Sequence, residues 1–163
     1  MGIRNILLEG EDTLRKKSRP VVDFGKKTSD LMDDLKETMV QANGAGLAAP
    51  QVGILRRAVV ILNNDEIVEL INPEIIEHSE ETEDEYEGCL SCPNKRALIA
   101  RPSKVTVRAF DRAGNEFTAE YEGFAARAAC HEIDHLEGTL FVDLADRIYT
   151  EDELDELLAA EED

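Results

Sequence analysis

The sequence predicts a small α+β protein with a single domain. Two observations about the whole chain predict this class. The 163 residues, 42% of them apolar, suffice for one compact core, and no repeat or linker-like segment divides the chain before about residue 147. The segments that resemble strands are grouped together ahead of a helix, whereas strands that alternate with helices would indicate a parallel α/β sheet.

The first predicted element is a helix over residues 29–42. Leu31 and Leu35 recur at four-residue spacing, which places them on one face of a helix. Thr28 or Ser29 is expected to cap its N-terminus, because a side-chain oxygen there accepts a hydrogen bond from a free backbone N–H. The glycine-rich stretch that follows, GAGLAAPQVG, is expected to be backbone that approaches a neighbour closely rather than helix.

The second half of the chain predicts several strands and then a helix. Runs rich in β-branched and apolar residues predict strands at 57–62, 66–71, 96–100, 104–110 and 116–122. The sequence DRAGNE between the last two strands predicts a hairpin turn, since Asp, Asn and Gly favour tight turns. A helix is predicted from Phe124 to Leu136, and Gly138 should end it because glycine readily adopts the left-handed conformation common after a helix.

The chain is strongly acidic, with 36 Asp and Glu residues against 18 Lys and Arg residues and a formal charge of -18. The negative electrostatic potential of such a chain repels the phosphate backbones of nucleic acids, so no direct nucleic-acid binding is expected. Acidic residues are concentrated in 77–87 and 151–163, and both runs are expected to be solvated surface. We therefore predict a main domain at 1–147 and an acidic C-terminal tail at 148–163 that forms a short helix.

The sequence also indicates where the protein works. No apolar run is long enough to span a membrane, and the N-terminal residues MGIRNILLEG lack the features of a secretory signal peptide. The expected location is therefore the cytoplasm, with no membrane association. The three cysteines, an odd number, argue against a disulfide framework and favour reduced thiols or metal ligands.

The sequence CHEIDH at 130–135 contains the motif His-Glu-x-x-His. His131 and His135 are four residues apart, so both imidazoles leave the same face of a helix and can bind one metal ion. Glu132 lies about 100° around the helix, where its carboxylate can reach a metal-bound water without binding the metal. Cys130 points away from the two histidines and is expected to be a core residue. Two ligands do not make a stable catalytic site, so the third ligand decides the function.

Two classes of peptidase share this motif. One class requires a histidine six residues after His135, but Phe141 stands there and His78 lies far upstream, so this class is excluded. The other class uses a downstream glutamate as the third ligand, and Glu153 and Glu156 lie near the required distance. A metallopeptidase with one of these glutamates as a ligand stays an alternative.

The remaining alternatives for the third metal ligand are two cysteines, Cys89 and Cys92, in the stretch EGCLSCPNK. Both thiolates and the two histidines could close a tetrahedral, non-catalytic structural zinc site, although the 38 residues that separate Cys92 from His131 exceed the spacing usual in zinc fingers. If only one thiolate binds, the ion keeps an open position for water, which is a catalytic arrangement. The first alternative predicts a structural domain and the second predicts an enzyme.

Three sequence blocks carry a resemblance to peptide deformylases. GAGLAAPQ (44–51), EGCLS (87–91) and HEIDH (131–135) resemble the signature blocks of that family and occur in the same order. The similarity continues through DTLRKKSRPV, RALIARPSKV and HLEGTLFVD, and it covers nearly the whole chain apart from the acidic tail. The resemblance implies a small α+β domain whose β-sheets pack around the metal-binding helix.

The resemblance also implies a reaction and a metal. Peptide deformylases remove the formyl group from N-formylmethionine on newly made peptides and release formate, so formylmethionyl nascent peptides are the implied partners. The implied ligands of one divalent ion are Cys89, His131 and His135, and Cys92 is then a bystander. Ferrous iron is the metal expected in vivo, with zinc, nickel or cobalt as alternatives. Glu132 is the implied general base.

The remaining site residues follow from the same resemblance. The side-chain amide of Gln51 and the backbone N–H of Leu90 would stabilise the oxyanion that forms at the formyl carbon. Arg96 is expected to contact the substrate backbone, and Phe124 and Ala128, on the ligand face of the helix, are expected to line the methionine pocket. Glycines in this region would let an extended peptide pair as an added strand. The implied substrate-binding residues are Ala45, Gly46, Gly88, Arg96, Phe124 and Ala128.

The acidic tail departs from one feature of the family. Some family members dock on the ribosome through a basic C-terminal helix, but residues 151–163 contain no Lys or Arg. Any contact with the ribosome is therefore expected to be transient and to be made without such a helix.

Overall fold

A computed structural model describes residues 2–162 of the chain. The α-helices of this part are α1 (Lys26–Gln41), α2 (Gly123–Leu136) and α3 (Glu151–Glu162). Short 3-10 helices lie at Asp12–Arg15, Ala49–Val52 and Phe141–Leu144. Met1 and Asp163, which the predicted ranges 1–147 and 148–163 include, lie outside the described residues. Within residues 2–162, no helix is both long enough and apolar enough to cross a membrane.

The strands of the described residues form two antiparallel sheets. Their bounds are β1 (Gly46–Ala48), β2 (Ala58–Asn63), β3 (Glu66–His78), β4 (Thr82–Cys89), β5 (Cys92–Pro102), β6 (Lys104–Phe110) and β7 (Glu116–Glu122). The larger sheet has the strand order β1-β2-β3-β6-β7, and β4 pairs with β5 in a separate two-stranded sheet. Antiparallel sheets with α2 in contact with strands of both confirm the predicted small α+β domain.

Strand β2 lies at the centre of the core because both of its faces are buried. Val59 and Ile61 belong to the apolar cluster that includes Ala129 of α2, whereas Val60 belongs to the cluster that includes Leu35 of α1. Successive side chains of a strand point to opposite faces, so a continuous apolar run needs apolar cover on both sides. Burial of each such side chain contributes about 1.5–3 kcal/mol. The larger sheet therefore holds α2 on one face and α1 on the other.

The hairpin of β6 and β7 has the predicted strand boundaries. In its turn the carboxylate of Asp111 accepts hydrogen bonds from the backbone N–H groups of Ala113, at 2.9 Å, and Asn115, at 3.0 Å. Gly114 has a φ of 87°, a left-handed conformation that glycine adopts without a steric cost. The turn chemistry of DRAGNE therefore acts as the sequence predicts.

The start of α1 differs from the prediction. The helix begins at Lys26 with Gly25 as its N-cap, three residues before the predicted start, so the expected N-cap at Thr28 or Ser29 is wrong. The hydroxyl of Thr28 lies inside the helix and donates a hydrogen bond to the backbone oxygen of Asp23 at 2.6 Å. The Thr28 hydroxyl thus forms a hydrogen bond with the segment that precedes the helix and does not cap the helix.

Two strands were not predicted, and two are longer than predicted. Strand β1 lies within the glycine-rich stretch and pairs with β2. Strand β4 covers much of the acidic run 77–87, and most of its side chains are exposed, so it shows no alternating apolar pattern. Strands β3 and β5 extend beyond 66–71 and 96–100 because their ladders with β6 and β4 continue past the apolar residues.

Candidate active site

The C-terminal half of α2 brings two histidines close to the end of β4. His131, Glu132 and His135 are buried, with between 1% and 8% of each residue exposed. Cys89 ends β4 and pairs with Cys92 across a two-residue turn. The Cys89 sulfur lies 3.4 Å from Nε2 of His135, and the ligand atoms of Cys89, His131 and His135 all lie within 4.8 Å of one another. These three predicted ligands therefore form one cluster.

Glu87 connects His131 to two buried arginines. Its carboxylate accepts hydrogen bonds from Nδ1–H of His131 at 2.9 Å, from Arg101 at 2.8 and 3.0 Å, and from Arg127 at 2.6 Å. Burial by itself raises the pKa of Glu87, but the bonds with His131 and Arg101 outweigh burial and lower the pKa to about 2. The ionised carboxylate holds the proton of His131 on Nδ1, which leaves Nε2 free to bind a metal.

The two imidazoles differ in their pKa because only one has carboxylate neighbours. Burial lowers the pKa of His131, but the carboxylates of Glu132 and Glu87 outweigh burial and raise it above its ordinary value. Burial, and then repulsion from His131, lower the pKa of His135. Within the described residues, Nδ1 of His135 has no hydrogen-bond partner. His135 is therefore neutral at pH 7, the form that binds metal ions.

Glu132 is a second buried carboxylate, and its surroundings differ from those of Glu87. Burial raises the pKa of Glu132 to about 7. Its Oε1 atom has no hydrogen-bond partner among residues 2–162. A Cβ atom added to Gly46 would lie only 2.5 Å from Oε2, so the glycine allows the carboxylate to occupy this place. An unpartnered carboxylate with a pKa near neutrality is suited to accept a proton from a water molecule.

The donor atoms of the cluster fit a divalent metal ion. A hydrogen bond with Cys92, followed by burial, raises the pKa of the Cys89 thiol above its ordinary value. A thiolate at this position therefore needs a nearby cation, which a bound metal supplies. One thiolate and two imidazoles leave a coordination position open, and Glu132, whose buried Oε1 has no hydrogen-bond partner among residues 2–162, lines the cleft beside them.

Gln51 and Leu90 lie next to Cys89. The side-chain oxygen of the buried Gln51 accepts a hydrogen bond from the backbone N–H of Ala48 at 2.9 Å, which orients the amide group. The amide nitrogen donates to Oγ of Ser91 at 3.0 Å and lies 3.6 Å from the Cys89 sulfur. Leu90 follows Cys89 in the chain and lines the same cleft. The structure thus brings both predicted oxyanion donors to the ligand cluster.

A cleft of about 410 Å³ opens onto this cluster. Of the predicted site residues, only His135 does not line it, and His135 belongs to the ligand cluster. Ala128 is buried in the cleft, whereas Phe124 is 63% exposed at its edge. The predicted residues that line the cleft are Ala45, Gly46, Gln51, Gly88, Cys89, Leu90, Arg96, Phe124, Ala128, His131 and Glu132.

Comparison with known proteins shows which family has these features. The sequence model described as polypeptide deformylase matches residues 3–151. The chain belongs to this family. A peptide deformylase from Caldicellulosiruptor bescii is 52% identical over 156 residues, which cover 96% of this chain and 93% of that protein. Members of the family are metal-dependent hydrolases, so this deformylase is an enzyme that uses a metal ion.

Solved structures of deformylases have the same fold. The crystal structure of peptide deformylase from Thermotoga maritima matches with a TM-score of 0.86 and 39% sequence identity, and the match covers 89% of this chain and 99% of that chain. A crystal structure of the class I type b enzyme from Acinetobacter baumannii with Met-Ala-Ser bound matches with a TM-score of 0.83 and 34% identity. That match covers 87% of this chain and 98% of the other.

The other candidate ligands of this deformylase are not part of the ligand cluster, although the thiol of one of them, Cys92, has a hydrogen bond with Cys89. Cys92 is buried, and the metal-ligand group found in the described residues does not include it. The carboxylate of Glu153 accepts a hydrogen bond from the backbone N–H of Thr150 at 3.0 Å, and Glu156 lies further along α3. Cys130 lies in the core, as predicted, where burial raises its pKa to about 11. Family membership favours the deformylase over the peptidase and the structural zinc domain.

Sequence reasoning missed three residues that belong to the site. Glu87 lies in an acidic run that reads as solvated surface, and its place two residues before Cys89 in EGCLS is the signal that could have found it. Ser91 accepts the hydrogen bond of Gln51, and its only signal is its place in the same block. Glu151 lines the cleft although it belongs to the acidic tail, and no local pattern indicates this.

Proposed function

We propose that this deformylase removes the formyl group from N-formylmethionine at the start of newly made peptides and releases formate. The observation that carries the proposal is the unpartnered, buried carboxylate of Glu132, which shares one cleft with a cysteine and histidine ligand set. Hydrolysis of a formamide needs a base for water, a means of stabilising negative charge, and room for the peptide. Family membership supports the same reaction.

Cys89, His131 and His135 are the proposed ligands of one divalent ion. We propose ferrous iron as the metal in vivo, with zinc, nickel or cobalt as possible replacements, because a thiolate and two imidazoles suit all of these ions. When bound, the ion would lower the pKa of a coordinated water and polarise the formyl oxygen. Glu87 would support the site by fixing the orientation and the tautomer of His131.

Glu132 is the proposed general base. A pKa of about 7 makes its carboxylate able both to accept and to return a proton near neutral pH. It would take a proton from water as the water oxygen attacks the formyl carbon. It would then give that proton to the peptide nitrogen as the C–N bond of the formamide breaks. The free Oε1 atom supports this assignment, because no protein group competes for it within the described residues.

Gln51 and Leu90 are the proposed donors to the oxyanion. The amide nitrogen of Gln51 donates one hydrogen to Oγ of Ser91 at 3.0 Å and directs the other toward the Cys89 sulfur at 3.6 Å, and this second hydrogen would turn to the substrate oxygen. The bond from Ala48 to the side-chain oxygen fixes which end of the amide faces the cleft. Loss of one donor of this kind lowers the rate by a factor of ~10²–10³.

The substrate peptide is proposed to bind as an added strand. Strand β1 is an edge strand of the larger sheet, and the cleft is lined there by Ala45 and Gly46. An exposed sheet edge can pair with an extended peptide through backbone hydrogen bonds. Gly88 and Arg96, from the β4–β5 hairpin, would contact the peptide backbone from the other wall.

Phe124 and Ala128 are proposed to line the pocket for the methionine side chain. They lie one turn apart on α2, and both line the cleft. The relative from Acinetobacter baumannii has been crystallised with Met-Ala-Ser, the product expected from a formylated tripeptide of that sequence. That complex supports a peptide that begins with methionine as the ligand of this cleft.

We propose that the enzyme acts in the cytoplasm, where nascent formylated peptides are made. Residues 1–147 would form the catalytic domain and residues 148–163 an acidic C-terminal tail. Since residues 151–163 contain no Lys or Arg, we propose that contact with the ribosome is transient and does not use a basic helix.

Release of formate from formyl-Met-Ala-Ser tests the proposed function. The metal-loaded protein should release formate, and Glu132→Ala and Cys89→Ala should abolish the release. Glu156→Ala is the matched control, because it removes an exposed carboxylate that only the peptidase alternative would need. An active Cys89→Ala variant would contradict the ligand assignment. A wild-type protein that binds metal but releases no formate would contradict the function.

A further inference from the structure

The segment that leads into α3 is docked against β5 beside the cleft. Tyr149 and Arg96 exchange two backbone hydrogen bonds, both of 2.8 Å. The backbone N–H of Glu151 donates to the side-chain oxygen of Asn94 at 3.0 Å, and Leu154 is buried. These contacts fix the start of the acidic tail relative to the β4–β5 hairpin.

Glu151 has a role different from that of the acids around it in α3. The helix is capped by a reciprocal pair: Oγ1 of Thr150 accepts from the N–H of Glu153 at 3.1 Å, and the Glu153 carboxylate accepts from the N–H of Thr150 at 3.0 Å. The carboxylate of Glu151 takes no part in this cap. Its Oε1 atom instead accepts a hydrogen bond from Nη2 of Arg96 at 2.8 Å.

The guanidinium of Arg96 is held from more than one side. Nη1 donates to the backbone oxygen of Lys95 at 2.9 Å. A Cβ atom added to Gly88 would lie 2.6 Å from Nη1 and 2.8 Å from Cζ, so the group lies directly against the glycine backbone. Arg96 is 33% exposed and Glu151 is 54% exposed at the side chain, so both remain accessible to a peptide in the cleft that they line.

We infer that Glu151 is a positioning residue for the peptide substrate, which makes the start of the acidic C-terminal helix part of the peptide-binding site. The inference rests on the proposed function. Glu151 holds the guanidinium of Arg96 against Gly88, on the wall that is proposed above to contact the backbone of the substrate peptide. Glu151 would therefore contribute to binding of peptides that extend beyond the methionine, and it would not contribute to binding of formylmethionine amide, which has no residue after the methionine.

The test compares two substrates and two matched variants. Glu151→Gln removes the charge at nearly constant size, and Asp152→Asn makes the same change in net charge at an exposed neighbour that does not line the cleft. Glu151→Gln should raise KM for formyl-Met-Ala-Ser about two- to fivefold, the range expected for an exposed ion pair. It should leave kcat, and both constants for formylmethionine amide, unchanged. Asp152→Asn should leave all constants unchanged.

A double variant separates positioning from a general effect of charge. If Glu151 acts through Arg96, Glu151→Gln should cause no further rise in KM in an Arg96→Ala background. Additive effects of the two substitutions, equal effects of Glu151→Gln and Asp152→Asn, or an equal rise in KM for both substrates would each overturn the inference. Absence of formate release by the wild-type enzyme would instead contradict the proposed function, so the two failures are distinguishable.

Discussion

Alanine at position 46 would press directly on the proposed general base. A Cβ atom there would lie 2.5 Å from Oε2, 2.9 Å from Cγ and 3.0 Å from Cδ of Glu132. Comfortable contacts between such atoms begin at about 3.5 Å, so the carboxylate must move by roughly 1 Å. Gly46 is held in register with Ile61 of β2, so its backbone cannot move away, and the Glu132 side chain has to give way into the cleft that it lines.

A shift of this size should be visible in kcat. Displacement of a reacting group by about 1 Å can lower a rate by ~10²-fold, which corresponds to about 2.7 kcal/mol in activation free energy. We expect Gly46→Ala to lower kcat for formate release from formyl-Met-Ala-Ser by about this factor. The metal content should stay unchanged, because the atoms nearest to the new methyl group all belong to Glu132. Steady-state kinetics and metal analysis measure the two quantities.

Gly25→Ala is a suitable control for this experiment. Gly25 is the N-cap of α1, its φ of -97° suits alanine, and a Cβ atom there meets only the exposed side chain of Asp23. This variant should keep full activity. A Gly46→Ala enzyme with wild-type kcat would refute the reasoning that the position of Glu132 limits catalysis.

Three further predictions concern the surroundings of the site and the stability of the fold. Cys92→Ser should keep both metal and activity; if it loses as much metal as Cys89→Ser, a structural zinc site gains support. Glu87→Gln should lower the free energy of unfolding in urea by about 3–5 kcal/mol, because two buried arginines lose their carboxylate. Burial by itself raises the pKa of Glu69, but the hydrogen bond with Arg112 and its positive charge outweigh burial and lower the pKa. The ionised carboxylate therefore stabilises the fold above the ordinary pKa of glutamate, and this contribution is lost as the pH falls through the lowered pKa. Glu69→Gln should therefore be less stable than the wild type at pH 7, and urea titrations should show the difference shrinking below about pH 4.

The fold was predictable where its determinants are local in the chain. The hairpin of β6 and β7 combines alternating buried residues, such as Val105 and Val107, with a turn whose hydrogen bonds arise from Asp111 itself. Strand β4 was not predictable from its own residues, because it forms through its pairing with β5. Its one buried acid, Glu87, forms ion pairs with residues that are distant in sequence, such as Arg127. An acidic strand of this kind has no pattern that distinguishes it from solvated loop.

The same distinction applies to the candidate site. The pairing of His131 with His135 follows from helix geometry alone, but their spacing could not select a third ligand, and the resemblance was needed to favour Cys89. The contact between Glu151 and Arg96 joins residues 55 positions apart and arises only when α3 docks on the hairpin. Sequence spacing holds no information about such a contact.

The placement of Cys89 on the β4–β5 hairpin links metal binding to the completion of the fold. A two-stranded hairpin is at best marginally stable by itself. Here charged side chains join it to α2, since Arg101 donates to Asp134 and Arg127 donates to the backbone oxygen of Glu83, each at 2.7 Å. The hairpin carries one proposed ligand and the helix carries two, so an ion can be fully coordinated only while the two are docked. Metal affinity and hairpin docking are then coupled equilibria, and the ion would stabilise the native state against local opening as well as serve catalysis.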